Sequence, residues 1–196
     1  MDHVIRDLHA SAPVPLPFAP DHRVRAFLLR RDAGNVLVYS AATVDAAAVG
    51  ALGGVSSILL NHWHEAEFGE GEQVAAALGV PLTGERAAPL TPPGDDVEVI
   101  PIPGHTPGAT AFLWDGALFT GDSVYVSGGE WIGAVLESSD RAAYLDSLER
   151  LRELDFELLV PWIADAGAPA ATPTDRADAR RRLAAVIERV RRGEDR

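Results

Sequence analysis

The sequence of 196 residues contains no cysteine. This absence excludes disulfides, thiolate metal sites and cysteine nucleophiles, so a metal would have to be bound by imidazole and carboxylate groups. The chain also lacks a run of about 18 apolar residues, which a membrane-spanning helix needs. Its first residues have neither the basic start nor the apolar stretch of a secretory signal. These absences predict a cytoplasmic protein with no membrane partner.

Lysine is absent too, so all 17 basic residues are arginines, against 29 acidic residues and a net charge of −12. An acidic surface repels phosphate backbones, which predicts that nucleic acid is not a partner. The arginines at 180–182, 189, 191 and 192 alternate with apolar residues at helical spacing. This pattern predicts an amphipathic last helix whose arginines face solvent.

The hydrophobic content of 47% suffices for a substantial core, and the sequence shows neither a linker nor a repeat. We therefore predict one α/β domain over residues 1–196. Strands are predicted at residues 23–30, 36–39, 55–60, 97–102, 109–114, 117–120 and 157–160. Helices are predicted at 44–52, at 70–78, after Ser139 or Asp140, and near the C-terminus, where Thr172 would be the cap and Asp175 the carboxylate at the third helical position. Two strand-rich halves, each followed by helices, predict two packed sheets covered by helices.

Three short segments follow predicted strands and carry metal-binding residue types. They are the H-x-H pair at His62 and His64, the P-G-H-T-P-G segment around His105, and the T-G-D segment that ends at Asp122. Taken singly, each also fits a polar loop or a tight turn. Together they supply three imidazoles and a carboxylate, the donors that zinc or iron binds.

The order and spacing of these segments resemble the metallo-β-lactamase superfamily, from about Arg23 to about Pro161. That family has an H-x-H-x-D-H loop, a P-G-H-T-P-G-like turn and a T-G-D-like turn. The resemblance implies a four-layer αββα sandwich. It also implies that His62, His64 and His105 bind a first metal and that Asp122 touches two metals.

The sequence departs from the family pattern at the second metal site. Ala66 stands where the family has an aspartate, Glu67 where it has a histidine, and Ile163 where the final histidine belongs. The other histidines, His3, His9 and His22, precede the first motif and are predicted to be surface residues. Of the second site only Asp122 remains, with Glu67 as a substitute oxygen ligand. We therefore predict one tightly bound divalent transition metal, with zinc preferred and iron or manganese as alternatives.

Three functions are compatible with such a site. The first is a one-metal hydrolase that acts on a small ester, thioester or lactone, with Asp122 and Glu67 in catalytic roles. Glu65 is a second candidate base, although we expect it to be an exposed loop residue. The second function is that of a non-catalytic or metal-binding relative. The third is an iron oxygenase resembling the persulfide dioxygenases, with His62, His105 and Asp122 as ligands. The expected partner is a small-molecule substrate, and no sequence feature specifies an oligomeric state.

Overall fold

The computed structural model describes residues 1–194, which divide into two compact units, with the boundary in the sequence between Asp95 and Asp96. Within the described residues, no helix is both long and apolar enough to cross a membrane. Both units contain strands and helices, as expected for an α/β protein. The single domain over residues 1–196 stays a prediction.

The first unit is built around a six-stranded sheet whose order is β1-β2-β5-β6-β7-β8. Strands β1, β2, β5 and β6 pair antiparallel, whereas β6, β7 and β8 are parallel. Strands β2, β5, β6, β7 and β8 are buried along their whole length, which explains their nearly continuous apolar sequences. The elements of this unit are β1 (Asp2–Ile5), β2 (Leu8–Ala10), β3 (Val14–Leu16), β4 (Ala19–Val24), β5 (Phe27–Leu29), β6 (Val36–Val38), α1 (Ala46–Ala51), β7 (Ile58–Leu59), α2 (His64–Phe68), α3 (Gly71–Leu78) and β8 (Leu82–Thr83).

The single strand predicted over residues 23–30 is wrong. Strand β4 ends at Val24 and pairs with β3, whereas β5 begins at Phe27 and pairs with β2 and β6. Between the two strands, Ala26 forms two hydrogen bonds with Ser11. The Ser11 amide donates to the Ala26 carbonyl at 2.8 Å, and the Ala26 amide donates to the Ser11 hydroxyl at 3.1 Å. A stretch of sequence that reads as one apolar strand can therefore contain parts of two separate strands.

The prediction that His9 is a surface residue is also wrong, because its strand lies inside the sheet. Strand β2 pairs with β1 on one side and β5 on the other, and only 8% of His9 is exposed. Burial, and then the nearby His3, lowers the pKa of His9 below its ordinary value. His3 itself is exposed, as predicted.

The second unit contains a five-stranded sheet of order β16-β14-β11-β10-β9. Strands β10 and β11 form the predicted hairpin around Asp115 and Gly116, both of which have positive φ. Strand β11 runs parallel to β14, and β12 pairs with β13 and β15. The elements of this unit are β9 (Glu98–Pro101), β10 (Thr110–Trp114), β11 (Ala117–Gly121), β12 (Tyr125–Ser127), β13 (Glu130–Ile132), α4 (Arg141–Glu153), β14 (Leu158–Pro161), β15 (Ile163–Asp165), β16 (Thr172–Pro173) and α5 (Arg176–Arg192).

Helices α4 and α5 pack into the core of the second unit. The buried residues of both helices and of the strands form one hydrophobic cluster. Full burial of a large aliphatic side chain stabilises a fold by roughly 1.5–3 kcal/mol. The arginines of α5 lie on its other face, where Arg180 pairs with Glu153 and Arg191 with Glu149. The predicted amphipathic helix is therefore confirmed. Its buried apolar residues are Leu183, Val186, Ile187 and Val190.

Candidate metal centre

His62 and His64 lie just beyond the carboxyl end of strand β7. Thr83 of the neighbouring strand β8 accepts a hydrogen bond from the Leu60 amide at 2.8 Å, and the chain then leaves the sheet. His62 is fully buried, and His64 is the first residue of α2. Their ring centroids are 4.8 Å apart, and the rings are nearly perpendicular, at 86°. The first unit thus presents two of the predicted ligands side by side.

Glu65 is fully buried, so the expectation that it is an exposed loop acid is wrong. One carboxylate oxygen lies 3.0 Å from His62 Nδ1, and the other accepts a hydrogen bond from the backbone amide of Asn61 at 2.9 Å. Helix α2 begins at His64, with Trp63 as its cap, and Glu65 is a buried residue of its first turn. Sequence reasoning missed this contact, although a spacing of three residues within a helical turn is a signal for it.

Ala66 and Glu67 follow on the same short helix. Ala66 is half-buried and offers no donor atom, while Glu67 is exposed. The roles of Glu67 as a ligand and as a base therefore stay predictions.

His105 and Asp122 form the corresponding pair in the second unit. His105 is 2% exposed, and its Nδ1 lies 2.8 Å from the carbonyl oxygen of Ala134. A carbonyl can only accept, so Nδ1 carries a proton, and in the neutral ring Nε2 carries the lone pair. Asp122 follows the end of β11, and its Oδ2 lies 3.9 Å from His105 Nε2. The lone pair of His105 and the carboxylate of Asp122 are thus on the same side of the ring.

The glycine before His105 is required by close packing. Gly104 has φ of +138°, and a Cβ built on it would lie 2.3 Å from Cα of Tyr144 in α4. Its amide donates to the Thr106 carbonyl at 3.0 Å, and its carbonyl accepts from the Asp140 amide at 3.0 Å. The P-G-H segment is thereby fixed to the start of α4, and His105 with it.

The segment after β14 has no donor where the family has its last histidine. Ile163 is half-buried and begins β15. The preceding Trp162 is 2% exposed, and its amide donates to the carbonyl of Gly121, next to Asp122, at 3.1 Å. A buried indole and an aliphatic side chain therefore occupy this segment.

The predicted ligands have the chemistry that a divalent metal requires. His62, His64, His105 and Asp122 each offer one ligand atom, and the three histidines are buried. Imidazole nitrogen and carboxylate oxygen suit zinc, iron and manganese. The donor set therefore fits a divalent transition metal and does not select one metal.

Comparisons with known proteins agree with the fold and the motifs. A family model described as "Metallo-beta-lactamase superfamily" matches residues 20–161. A hydroxyacylglutathione hydrolase of Anaeromyxobacter dehalogenans is 34% identical over 149 residues, a match that covers 66% of this chain and 57% of that protein. The chain thus spans little more than half the length of this relative.

Solved structures show the same fold at low sequence identity. A metallo-β-lactamase from Erythrobacter litoralis has a TM-score of 0.71 at 14% identity and covers 95% of both chains. An archaeal metallo-β-lactamase superfamily protein from Sulfolobus tokodaii has a TM-score of 0.69 at 15% identity and covers 97% of this chain and 96% of its own. The α/β fold expected from the sequence is therefore confirmed.

Proposed function

Because the chain belongs to the metallo-β-lactamase superfamily, we propose that it is a one-metal hydrolase of a small ester, thioester or lactone. In this proposal the ion is bound by His62, His64, His105 and Asp122. Zinc is the preferred metal, with iron and manganese as alternatives.

The way in which two histidine rings are held carries this proposal. His62 and His105 both use Nδ1 for a hydrogen bond inside their own unit, the first with the Glu65 carboxylate and the second with the Ala134 carbonyl. Metal-binding histidines are typically held in this way, because the second hydrogen bond fixes the tautomer and aims the other nitrogen at the ion. Two buried rings held alike at the ends of two strands support metal binding.

The donor inventory supports one ion better than two. A second ion would have Asp122, Glu67 as a substitute oxygen ligand, and water, because Ala66 and Ile163 offer no ligand atom. Hard oxygen donors without a nitrogen favour weak binding of a magnesium-like ion over tight binding of zinc.

A bound divalent ion would polarise the substrate carbonyl and acidify water. The side chains of the protein would then orient the substrate and accept the proton of the attacking water. Asp122 has a partly exposed carboxylate, 14% of which is accessible, beside His105 Nε2. It is the residue that we propose to accept the proton of the attacking water, and Glu67 is the weaker candidate for that role.

The name of one relative favours the thioester among the three substrate classes. Hydroxyacylglutathione, from which the Anaeromyxobacter protein takes its name, joins an acyl group to a thiol. We therefore expect thioesters to be the best substrates in a panel of small acyl compounds.

The test begins with metal analysis of protein purified without added metal or chelator. Small esters, thioesters and lactones are then assayed with zinc, manganese and iron, and we expect slow metal-dependent hydrolysis. Absence of turnover with every metal would favour a non-catalytic relative. Oxygen consumption with a persulfide and iron alone would instead favour the oxygenase function.

A further inference from the structure

Glu65 is a charged residue in a place where a charge is costly. Its side chain is 0% exposed, and an ionised carboxylate withdrawn from water needs compensating hydrogen bonds. The structure supplies them from the same short segment, through His62 Nδ1 at 3.0 Å and the Asn61 amide at 2.9 Å. The carboxylate therefore bridges the end of strand β7 and the first turn of α2.

These contacts constrain the His62 ring. An ionised carboxylate has only acceptor oxygens. Nδ1 of His62 must therefore carry the proton of the hydrogen bond between Nδ1 and the Glu65 carboxylate. In the neutral ring, Nε2 then carries the lone pair. The Glu65 carboxylate holds the ring in this orientation, while the Asn61 contact keeps the carboxylate itself from rotating.

The two anchored histidines differ in the charge of their acceptor. His105 donates to a neutral backbone carbonyl, whereas the acceptor at His62 is a carboxylate. Hydrogen bonds to an ionised acceptor are roughly twice as strong as neutral ones. A carboxylate acceptor also makes the ring a more basic ligand. The orientation of the His62 ring therefore depends on a side chain that a substitution can replace, whereas the acceptor of His105 is a backbone carbonyl.

We infer that Glu65 is the positioning residue of the metal centre: it sets the tautomer and orientation of His62 and thereby its strength as a ligand. This inference rests on the proposed function. It assigns Glu65 a role distinct from the general base, because both of its carboxylate oxygens are engaged within the loop.

The test compares Glu65→Gln with the native protein. The amide retains the shape of the side chain but has one acceptor oxygen where the carboxylate has two. We expect the affinity for Zn²⁺, measured by competition with a chromophoric chelator, to fall about 10–100-fold. With Co²⁺ as the probe, the visible spectrum should change as well, since the ligand geometry at His62 is altered. An affinity within twofold of the native value would overturn the inference.

The matched control is Glu72→Gln, which removes the same charge from an exposed position on helix α3. We expect this variant to leave Zn²⁺ affinity and the Co²⁺ spectrum unchanged. A loss equal to that of Glu65→Gln would show that net charge, and not the contact with His62, is responsible.

A measurement on the native protein separates this inference from the proposed function and from folding. Nitrogen-15 NMR of the metal-free protein reports the histidine tautomers directly, and we expect His62 to carry its proton on Nδ1. A proton on Nε2 would overturn the role of Glu65 even if the metal binds. Absence of Zn²⁺ binding together with an Nδ1 proton would instead overturn the proposed function and leave the Glu65 contact intact.

Discussion

Gly104 occupies a position that no other residue can fill without moving helix α4. Its φ is +138°, and an added methyl group would overlap Tyr144 Cα. We expect Gly104→Ala to reduce the free energy of unfolding by about 2 kcal/mol or more, because it combines a strained backbone with a steric overlap. Urea denaturation measures the change.

The control for that substitution is Gly50→Ala. Gly50 lies in helix α1, and a Cβ there would meet no atom within 4 Å. Alanine should leave stability unchanged or raise it by about 0.5–1 kcal/mol, since it is the better helix former. Equal effects of the two substitutions would contradict the packing argument for Gly104.

The number of bound ions depends on a few named side chains. We expect His105→Ala to abolish most tight metal binding and a substitution of Glu67 to change it little. Ala66→Asp, Glu67→His and Ile163→His together should raise the capacity toward about two ions, because they restore the missing donors. Elemental analysis after gel filtration gives the metal content per chain. Two tightly held ions in the native protein would contradict the prediction of a one-metal centre.

Among single residues, ligand types could be predicted from sequence, but their supporting contacts could not. Each of the three motifs supplies a donor whose chemistry is visible in the letters. The acceptor of His105 is the carbonyl of Ala134, 29 residues away. Because every residue has a backbone carbonyl, the sequence does not indicate which residue supplies this acceptor. The sequence predicts an exposed Glu65 because charged residues are rarely buried, a rule that fails where hydrogen bonds compensate the charge.

At the scale of elements, the start of helix α5 shows how tertiary contacts override a local signal. The sequence predicts Thr172 as the cap and Asp175 as the carboxylate at the third position. In the structure, Thr172 and Pro173 form strand β16 and pair with Leu159 and Leu158 of β14. The helix therefore begins three residues later, with Asp175 as its cap and Asp178 in its first turn. The predicted cap residue and the register of the helix start are therefore wrong, although a carboxylate does stand at the third helical position.

Asp178 gives the first turn of α5 a pH-dependent contribution to stability. Its carboxylate accepts a hydrogen bond from Arg182 Nε at 2.7 Å and also pairs with Arg181. The hydrogen bond from Arg182, and then that from Arg181, lowers the pKa of Asp178 below its ordinary value. Because the folded pKa is depressed, the stabilisation is present above the unfolded pKa and disappears as the pH falls through the folded one.

Accordingly, Asp178→Asn should destabilise the protein near pH 7 by about 0.5 kcal/mol, a small value because the pair is partly exposed. The difference from the native protein should shrink below about pH 4, the ordinary aspartate pKa, and vanish at lower pH. Thermal unfolding of both proteins over this pH range measures the difference. A gap that does not depend on pH would mean that Asp178 acts through packing rather than charge.

For the whole molecule, we propose that residues 1–196 unfold as one domain. Small single domains lose their structure in one cooperative transition, in which the calorimetric and van't Hoff enthalpies agree. We expect this agreement in scanning calorimetry of the metal-free chain. Two resolved transitions would instead show that the units ending at Asp95 and beginning at Asp96 are thermodynamically separate.

Of the properties predicted for the whole chain, the α/β class and the family were predictable, because they depend on motif order and on two strand-rich halves that are each followed by helices. The division of strands among sheets was not, since it depends on contacts such as that between Ser11 and Ala26. The cytoplasmic location and the exclusion of nucleic acid and membrane partners stay predictions.

The two outer strands of the five-stranded sheet bear on self-association. Strand β16 contributes Pro173 and strand β9 contributes Pro101, and proline has no N–H to offer to a further strand. The carbonyl of Pro101 already accepts a hydrogen bond from Arg150. An open sheet edge invites the strand of another molecule, and these two edges are poor templates for such pairing. This sheet should therefore contribute little to edge-to-edge stacking between copies of the protein.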